Sequence, residues 1–154
     1  TTSNSFACDL KKWLQIMRAY EGGGHAYHAT LPTDALKRLR DTMLETRKLG
    51  FEQLKQQQWE LGKGVRALLE DNGFASVAAP GFQAPGVVVS YTSDDGIHSG
   101  SAFAAQGLQT ASGVPLMCDE PAGFKTFRVG LFGLDKLQDV EGAVARLRQA
   151  LEAV

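Results

Sequence analysis

One arginine stands inside an otherwise apolar segment, residues 126–133, whose sequence is TFRVGLFG. The guanidinium of this residue, Arg128, can bind a carboxylate through two parallel N–H donors, and a cation withdrawn from water needs such a partner. The segment contains no acidic residue, so Arg128 is a candidate ligand for an acid group that a small molecule supplies. The alternative is that strand alternation turns Phe127 and Val129 inward and leaves Arg128 in solvent.

A second group of polar side chains lies in residues 22–32, with the sequence GGGHAYHATLP. Glycines end the helix before it, and Pro32 disfavours helical geometry in the residue that precedes it, so we predict a loop. This loop gathers the phenol of Tyr27, the imidazole of His28 and the hydroxyl of Thr30, and polar groups fixed on a loop can bind an anion. The alternative is an exposed connector on which Tyr27 packs locally.

Other common active-site patterns are missing from the sequence. Its three histidines, His25, His28 and His98, show no HxxxH or HExxH spacing, so we predict no metal site. No serine occupies a GxSxG elbow, which argues against a serine hydrolase. Cys8 and Cys118 lie far apart without CxxC spacing, which is typical of reduced thiols in a cytosolic protein.

The composition excludes several classes of protein. At 154 residues the chain is long enough for one domain with a hydrophobic core, and its formal net charge of -1 indicates neither disorder nor a basic surface for nucleic acid. We find no leader-like start and no apolar stretch long enough to cross a membrane, so we predict a soluble, cytoplasmic protein.

The elements that must position these groups follow from periodicity. Helices are predicted at 9–19, from Thr33 or Asp34 to about residue 50, from there to Leu69, at 99–108, and from a capping-box-like start at Asp135 to Leu151. Strands are predicted at 74–78, 86–92, 113–118 and 126–132. The expected fold is therefore α/β, with a long helical lead followed by a small three- to four-stranded sheet covered by helices.

The order of these motifs resembles the C-terminal portion of class V, fold type I pyridoxal-phosphate aminotransferases, and most closely the alanine–glyoxylate and serine–pyruvate group. The resemblance covers nearly the whole chain: DLKKWL at 9–14, YHATLP at 27–32, a long double helix, FRVG at 127–130 and a final helix. The sequence departs from the pattern at Ala29, where relatives often have a second histidine.

The resemblance implies a role for three residues. Tyr27 and Thr30 match the loop that hydrogen-bonds the cofactor phosphate of the neighbouring subunit in a homodimer, and Arg128 matches the arginine that binds the substrate α-carboxylate. The Schiff-base lysine is expected upstream of residue 1, so this chain is expected to contain no catalytic residue and to be inactive alone. Lys11 and Lys12 lie beyond the position of that lysine and are not assigned catalysis.

By the same resemblance, residues 1–32 are the tail of the large pyridoxal-phosphate-binding domain with its interface loop, and residues 33–154 are the small domain. The expected partners are the missing N-terminal large domain, a second subunit, and a small amino acid or 2-oxo acid of the alanine, serine, glyoxylate or pyruvate type. Two alternatives remain: a non-catalytic carboxylate-binding or dimerisation module, and a relative of the cysteine desulfurases. The latter is disfavoured because Cys118 falls in a predicted strand.

Overall fold

The computed structural model describes residues 5–6, 8–30 and 32–154. These residues form two compact units, which meet in the chain between Leu44 and Glu45. The first unit contains helix α1 (Leu10–Glu21) and most of helix α2 (Thr33–Leu49). Asp9 caps α1 by accepting a hydrogen bond from the backbone N–H of Lys12 at 3.0 Å, and Gly23 follows the helix with a φ of 77°. The predicted domain boundary after residue 32 stays a prediction.

Much of the apolar surface of α1 and α2 is exposed. Ile16 is the buried residue of α1, and α2 has none among its described side chains. Leu36, Leu39 and Met43 repeat at helical spacing along α2, and each remains exposed. A stripe of this kind normally packs against another element, because burial of apolar side chains is what stabilises an amphipathic helix.

The second unit contains a three-stranded antiparallel sheet with the order β1-β3-β2. Its elements are α3 (Phe51–Asp71), β1 (Val87–Tyr91), α4 (Asp95–Ser99), α5 (Ser101–Ala105), β2 (Ala111–Ser112), β3 (Thr126–Gly130), α6 (Leu134–Gln138) and α7 (Val140–Leu151). The α/β class and the small sheet with helices are as predicted.

The core lies between one face of this sheet and the long helix α3. Phe127 on β3 is fully buried, and its ring meets those of Phe74 and Phe103 at centroid distances of 5.3 Å and 5.7 Å. Helix α3 supplies buried residues at helical spacing: Leu54, Leu61, Val65, Leu68 and Leu69. Because side chains alternate along a strand, the residues next to Phe127 on β3 point to the opposite face.

The helices α1, α2 and α3 and the strands β1 and β3 agree with their predicted positions within a few residues. The predicted helix at 99–108 is shortened to α5, because Gly100 adopts a φ of 81° between α4 and α5 and Gly107, after α5, adopts a φ of 75°. The C-terminal helix is likewise divided: Asp139 ends α6 and caps α7 by accepting from the N–H of Gly142 at 3.0 Å.

Two predicted strands are wrong. Strand β2 comprises residues 111–112, and the segment 113–118 is a loop. Pro115 has no N–H for a strand hydrogen bond, and the amides of Leu116 and Cys118 donate to the carboxylate of Glu120. The segment 74–78 forms a single bridge, between Ser76 and Ser90. It lies along β1 as an irregular edge.

No helix within the described residues is long and apolar enough to span a membrane.

Replacement of Asp94 by alanine is expected to lower the free energy of unfolding by about 1 kcal/mol, the usual value of an N-cap. Its carboxylate accepts a hydrogen bond from the N–H of Ile97 at 2.8 Å and so begins the short helix α4. Chemical denaturation of the chain measures the change. Asp71→Ala, at the exposed end of α3, is the control and should change the midpoint little; an equal shift would contradict the capping role.

Candidate functional site

Arg128 lies at the centre of the sheet, on the face opposite the core. It pairs with Val89 of β1 on one side and Ala111 of β2 on the other, and its side chain is partly buried. Its Nε donates to the backbone oxygen of Ser112 at 2.9 Å. The two terminal nitrogens make no hydrogen bond or ion pair with the residues that the structure describes. The guanidinium is therefore oriented by one bond and retains the N–H pair that binds a carboxylate.

Helix α4 holds the short strand β2 in place beside Arg128. The backbone oxygen of Thr126 accepts from the N–H of Gly113 at 2.9 Å and contacts Nδ1 of His98 at 2.7 Å. The hydroxyl of Ser112 donates to the backbone oxygen of Ser99 at 3.3 Å. Both His98 and Ser99 belong to α4, so the carbonyl that holds Arg128 is fixed by this helix.

An ion pair joins the start of α4 to the start of β3. Nζ of Lys125 lies 2.5 Å from the carboxylate of Asp95, and the hydrogen bond and charge of Lys125 lower the pKa of Asp95. A carboxyl whose pKa is lowered in the folded state stabilises the fold above its ordinary pKa, and that contribution is lost as the pH falls through the lowered value. The carboxylate is exposed, so the contribution is small.

A cavity of about 390 Å³ opens beside the start of β3, at Thr126. Its wall is made by His98, Glu120, Phe124 and Thr126 and by the loop of residues 113–123. The ring of Phe124 packs edge-on against Tyr91 with a centroid distance of 5.8 Å. This aromatic contact fixes the end of the loop against the outer face of the sheet.

The predicted pair Tyr27 and Thr30 is brought together in the first unit. Their hydroxyl oxygens lie 3.3 Å apart, and Tyr27 is 80% exposed. His28 is directed elsewhere: its ring lies 4.2 Å from that of Phe6, and its Nε2 contacts the backbone oxygen of Phe6 at 3.3 Å. The loop is thus anchored by His28. The exposed hydroxyls of Tyr27 and Thr30 hydrogen-bond to each other, so one hydroxyl proton remains that fits an anionic oxygen. Leu31 of the same motif lies outside the described residues.

The remaining candidate residues are two lysines and two cysteines. Lys11 and Lys12 lie on the first turn of α1, and Nζ of Lys12 contacts Gln15 at 3.5 Å. Cys8 is a free, exposed thiol. Cys118 is also free and exposed, and it lies on the loop after β2, where Met117 and Asp119 have positive φ angles. The argument that a strand holds Cys118 is therefore wrong.

The sequence alone does not identify His98 and Glu120 as residues of this cavity wall. His98 has no metal-ligand spacing in the sequence, and the described residues contain no group of three histidine, cysteine or acidic side chains that could hold a metal ion. Glu120 stands between Cys118 and Pro121 without a motif of its own. The prolines at 115 and 121 were the available signal, since they favour a loop over a strand.

Comparisons with known proteins bear on the fold. No family model matches the sequence, and no curated protein matches it. Among solved structures the chain is similar to an alanine–glyoxylate aminotransferase from Nostoc sp., with a TM-score of 0.68 and 22% identity over 98% of this chain. The chain spans 39% of the length of that protein. At this identity the likeness concerns the fold, and the predicted resemblance to this group is confirmed at that level.

Proposed function

We propose that this chain is the C-terminal part of a pyridoxal-phosphate-dependent aminotransferase in which Arg128 binds the carboxylate of a small amino acid or 2-oxo acid. One observation carries the proposal: the Nε of Arg128 is held by Ser112, while its terminal nitrogens, on the face opposite the core, have no partner among the residues that the structure describes. An arginine fixed in this way is suited to bidentate recognition of a carboxylate. The fold that surrounds it is similar to that of an alanine–glyoxylate aminotransferase.

Tyr27 and Thr30 support a role in cofactor binding. Their neighbouring hydroxyls, 3.3 Å apart on an exposed loop, can exchange their mutual hydrogen bond for two bonds to one phosphate group, and the resemblance assigns that phosphate to the second subunit of a homodimer. When bound, pyridoxal phosphate supplies an electron sink that stabilises negative charge at the substrate α-carbon. In this proposal, Arg128 orients the substrate by its carboxylate, and the hydroxyl pair helps to hold the phosphate.

The exposed apolar side chains of the first unit favour contact with another domain of the same polypeptide. Leu10, Leu14 and Met17 repeat along one side of α1 and are exposed, as are Leu36 and Met43 on α2. Contiguous apolar surface of this kind is usually covered by another domain or chain. In this proposal the large cofactor-binding domain, which would also carry the Schiff-base lysine, packs on these side chains.

The full open reading frame that contains this chain provides the test. Its purified product is expected to show the absorbance of protein-bound pyridoxal phosphate and to convert L-alanine and glyoxylate to pyruvate and glycine. The 154-residue chain alone is expected to do neither. A full-length product that binds no cofactor would contradict the proposal and favour a non-catalytic carboxylate-binding module.

A cysteine desulfurase remains a second candidate, because Cys118 is an exposed thiol on a loop. A desulfurase requires a thiolate that attacks the sulfur of its substrate, so Cys118→Ala would abolish sulfur release from L-cysteine. In an aminotransferase the same substitution leaves the conversion of alanine and glyoxylate unchanged. Both assays on the full-length protein and its Cys118→Ala variant distinguish the two activities.

A further inference from the structure

Arg66, on helix α3, is a buried arginine whose hydrogen-bond partners carry no charge. The residue is 7% exposed, and its terminal nitrogens donate to the hydroxyl of Ser76 at 2.9 Å and to the backbone oxygen of Ala84 at 3.1 Å. The hydroxyl of Ser76 donates in turn to the backbone oxygen of Ala78 at 3.2 Å. No carboxylate among the described residues pairs with Arg66. Because removal of a cation from water is costly unless an anion accompanies it, this charge lacks its usual compensation.

Arg66 forms part of the wall of a cavity of about 310 Å³ between α3 and residues 83–85. Lys63 lines the same cavity, and it lies on the same face of α3 as Arg66 because the two are three residues apart. At Gly62 the helix and the facing segment approach closely, since a Cβ atom there would lie 2.7 Å from the backbone oxygen of Pro85. The segment therefore packs directly on the helix beside the two cations.

The charges of the cavity wall fit a ligand with one negative charge. The wall has two cations, Lys63 and Arg66, and one anion, Glu70, so its net charge is +1. The two hydrogen bonds of Arg66 use two of its five N–H donors, and the other three have no partner within the described part of the chain. A guanidinium with free N–H groups binds a planar carboxylate well, whereas the carboxylate of Glu70 opposes a second negative charge in the ligand.

The cavity also offers a flat apolar surface. Trp59 and Pro85 contribute their rings to its wall, and Trp59 is 42% exposed. An aromatic side chain with an exposed face gains free energy when a flat apolar group stacks on it. The wall therefore combines a cationic part with an apolar part, as recognition of an organic acid requires.

We propose that this cavity binds a small organic monocarboxylate with a flat apolar group. Its carboxylate binds Arg66 and Lys63, and its apolar group stacks on Trp59. The inference is independent of the proposed function, because none of the cavity residues takes part in the sites assigned to Arg128 and Tyr27. Since the bound acid neutralises a buried cation of the folded protein, it also stabilises the fold.

Benzoate and its uncharged analogue benzamide test the proposal in the full-length Arg128→Ala protein, in which the carboxylate-binding arginine of β3 is absent. Calorimetric titration is expected to give a Kd for benzoate below about 10 mM, a modest affinity for a ligand of this size. Benzamide, which has the same shape without the charge, is expected to bind at least about tenfold more weakly. Benzoate should also raise the thermal midpoint. Equal binding of the two compounds, or no binding of benzoate, overturns the proposal.

Lys63→Ala in the same background assigns the binding to this cavity. It removes an exposed cation and leaves both hydrogen bonds of Arg66 in place, so benzoate binding is expected to weaken about three- to fivefold. Lys55→Ala, which removes an exposed lysine about two turns earlier on α3, is the matched control and should leave binding unchanged. Unchanged benzoate binding in Lys63→Ala, or an equal loss in the control, overturns the assignment.

Arg66→Lys keeps the charge and removes the planar fork. Benzoate binding is expected to fall at least about tenfold, because a hydrogen-bonded contact to a charged group is lost. The thermal midpoint of this variant, measured without ligand, shows whether it folds. If it does not fold, Lys63→Ala and the comparison with benzamide decide the proposal; if it folds and binds benzoate as tightly as before, the role of Arg66 is overturned.

Discussion

Replacement of Arg128 by alanine in the full-length protein is expected to lower kcat/KM for L-alanine and glyoxylate by about 100- to 1,000-fold, as truncation of one partner of a hydrogen-bonded charge pair commonly does. The terminal nitrogens of Arg128 have no other partner among the described side chains, so substrate binding is the interaction that the substitution removes. The absorbance of bound pyridoxal phosphate should be unchanged, because the proposed phosphate ligands are Tyr27 and Thr30.

Two further variants sharpen this experiment. Arg128→Lys keeps the charge but not the planar fork, so its activity should lie between those of the native protein and the alanine variant. Arg148→Ala removes an exposed arginine of α7 and should leave the kinetics as they are. An equal loss of cofactor and substrate binding in Arg128→Ala would contradict the assignment of Arg128 to the carboxylate.

The helices and the central strand could be predicted because their signals are local. The spacing of Leu61, Val65 and Leu68 on α3 is that of one helical face, and all three are buried. Alternation around Phe127 and Val129 similarly predicts which residues of β3 point away from the core. Arg128 was found because a cation in an apolar strand is chemically unusual, whatever the fold around it.

The loop at 113–118 could not be predicted in the same way, because distant or irregular contacts decide it. Its amides bond to the carboxylate of Glu120 instead of a neighbouring strand, and no sequence pattern marks that choice. The contact between His98 and Thr126 joins residues that are 28 positions apart. Such a contact depends on tertiary structure, so the residues of the cavity wall could not be predicted from the sequence.

The hydroxyl pair is an intermediate case. Tyr27 and Thr30 are three residues apart on a loop that Pro32 keeps out of helical geometry. The sequence shows that they share this loop, and the structure adds that their oxygens lie 3.3 Å apart. Their role toward a phosphate stays a proposal, since it depends on a cofactor and a second subunit.

The position of the Arg128 side chain depends on Gly113, because this residue has no side chain. Its N–H donates to the backbone oxygen of Thr126 at 2.9 Å, directly after Ser112, whose carbonyl holds Arg128. A Cβ atom at Gly113 would overlap the hydroxyl and carbonyl oxygens of Thr126 and would lie 2.6 Å from its carbonyl carbon. Because two of these three atoms are backbone, they cannot move aside without displacing β2 from β3.

Gly113→Ala is therefore expected to lower the free energy of unfolding by about 3 kcal/mol, the upper part of the range for an overpacked site. Gly130→Ala, on β3 itself, is the matched control: its Cβ would meet the ring of Phe132 at 3.6 Å, an ordinary contact, and the change should stay below about 0.5 kcal/mol. Denaturant titration measures both. Since displacement of β2 also releases the Nε of Arg128, the folded Gly113→Ala protein should bind its amino acid more weakly and its cofactor normally. Equal stability of the two variants would show that β2 tolerates the added methyl group. The position of Ser112 would then not depend on the close approach of Gly113 to β3.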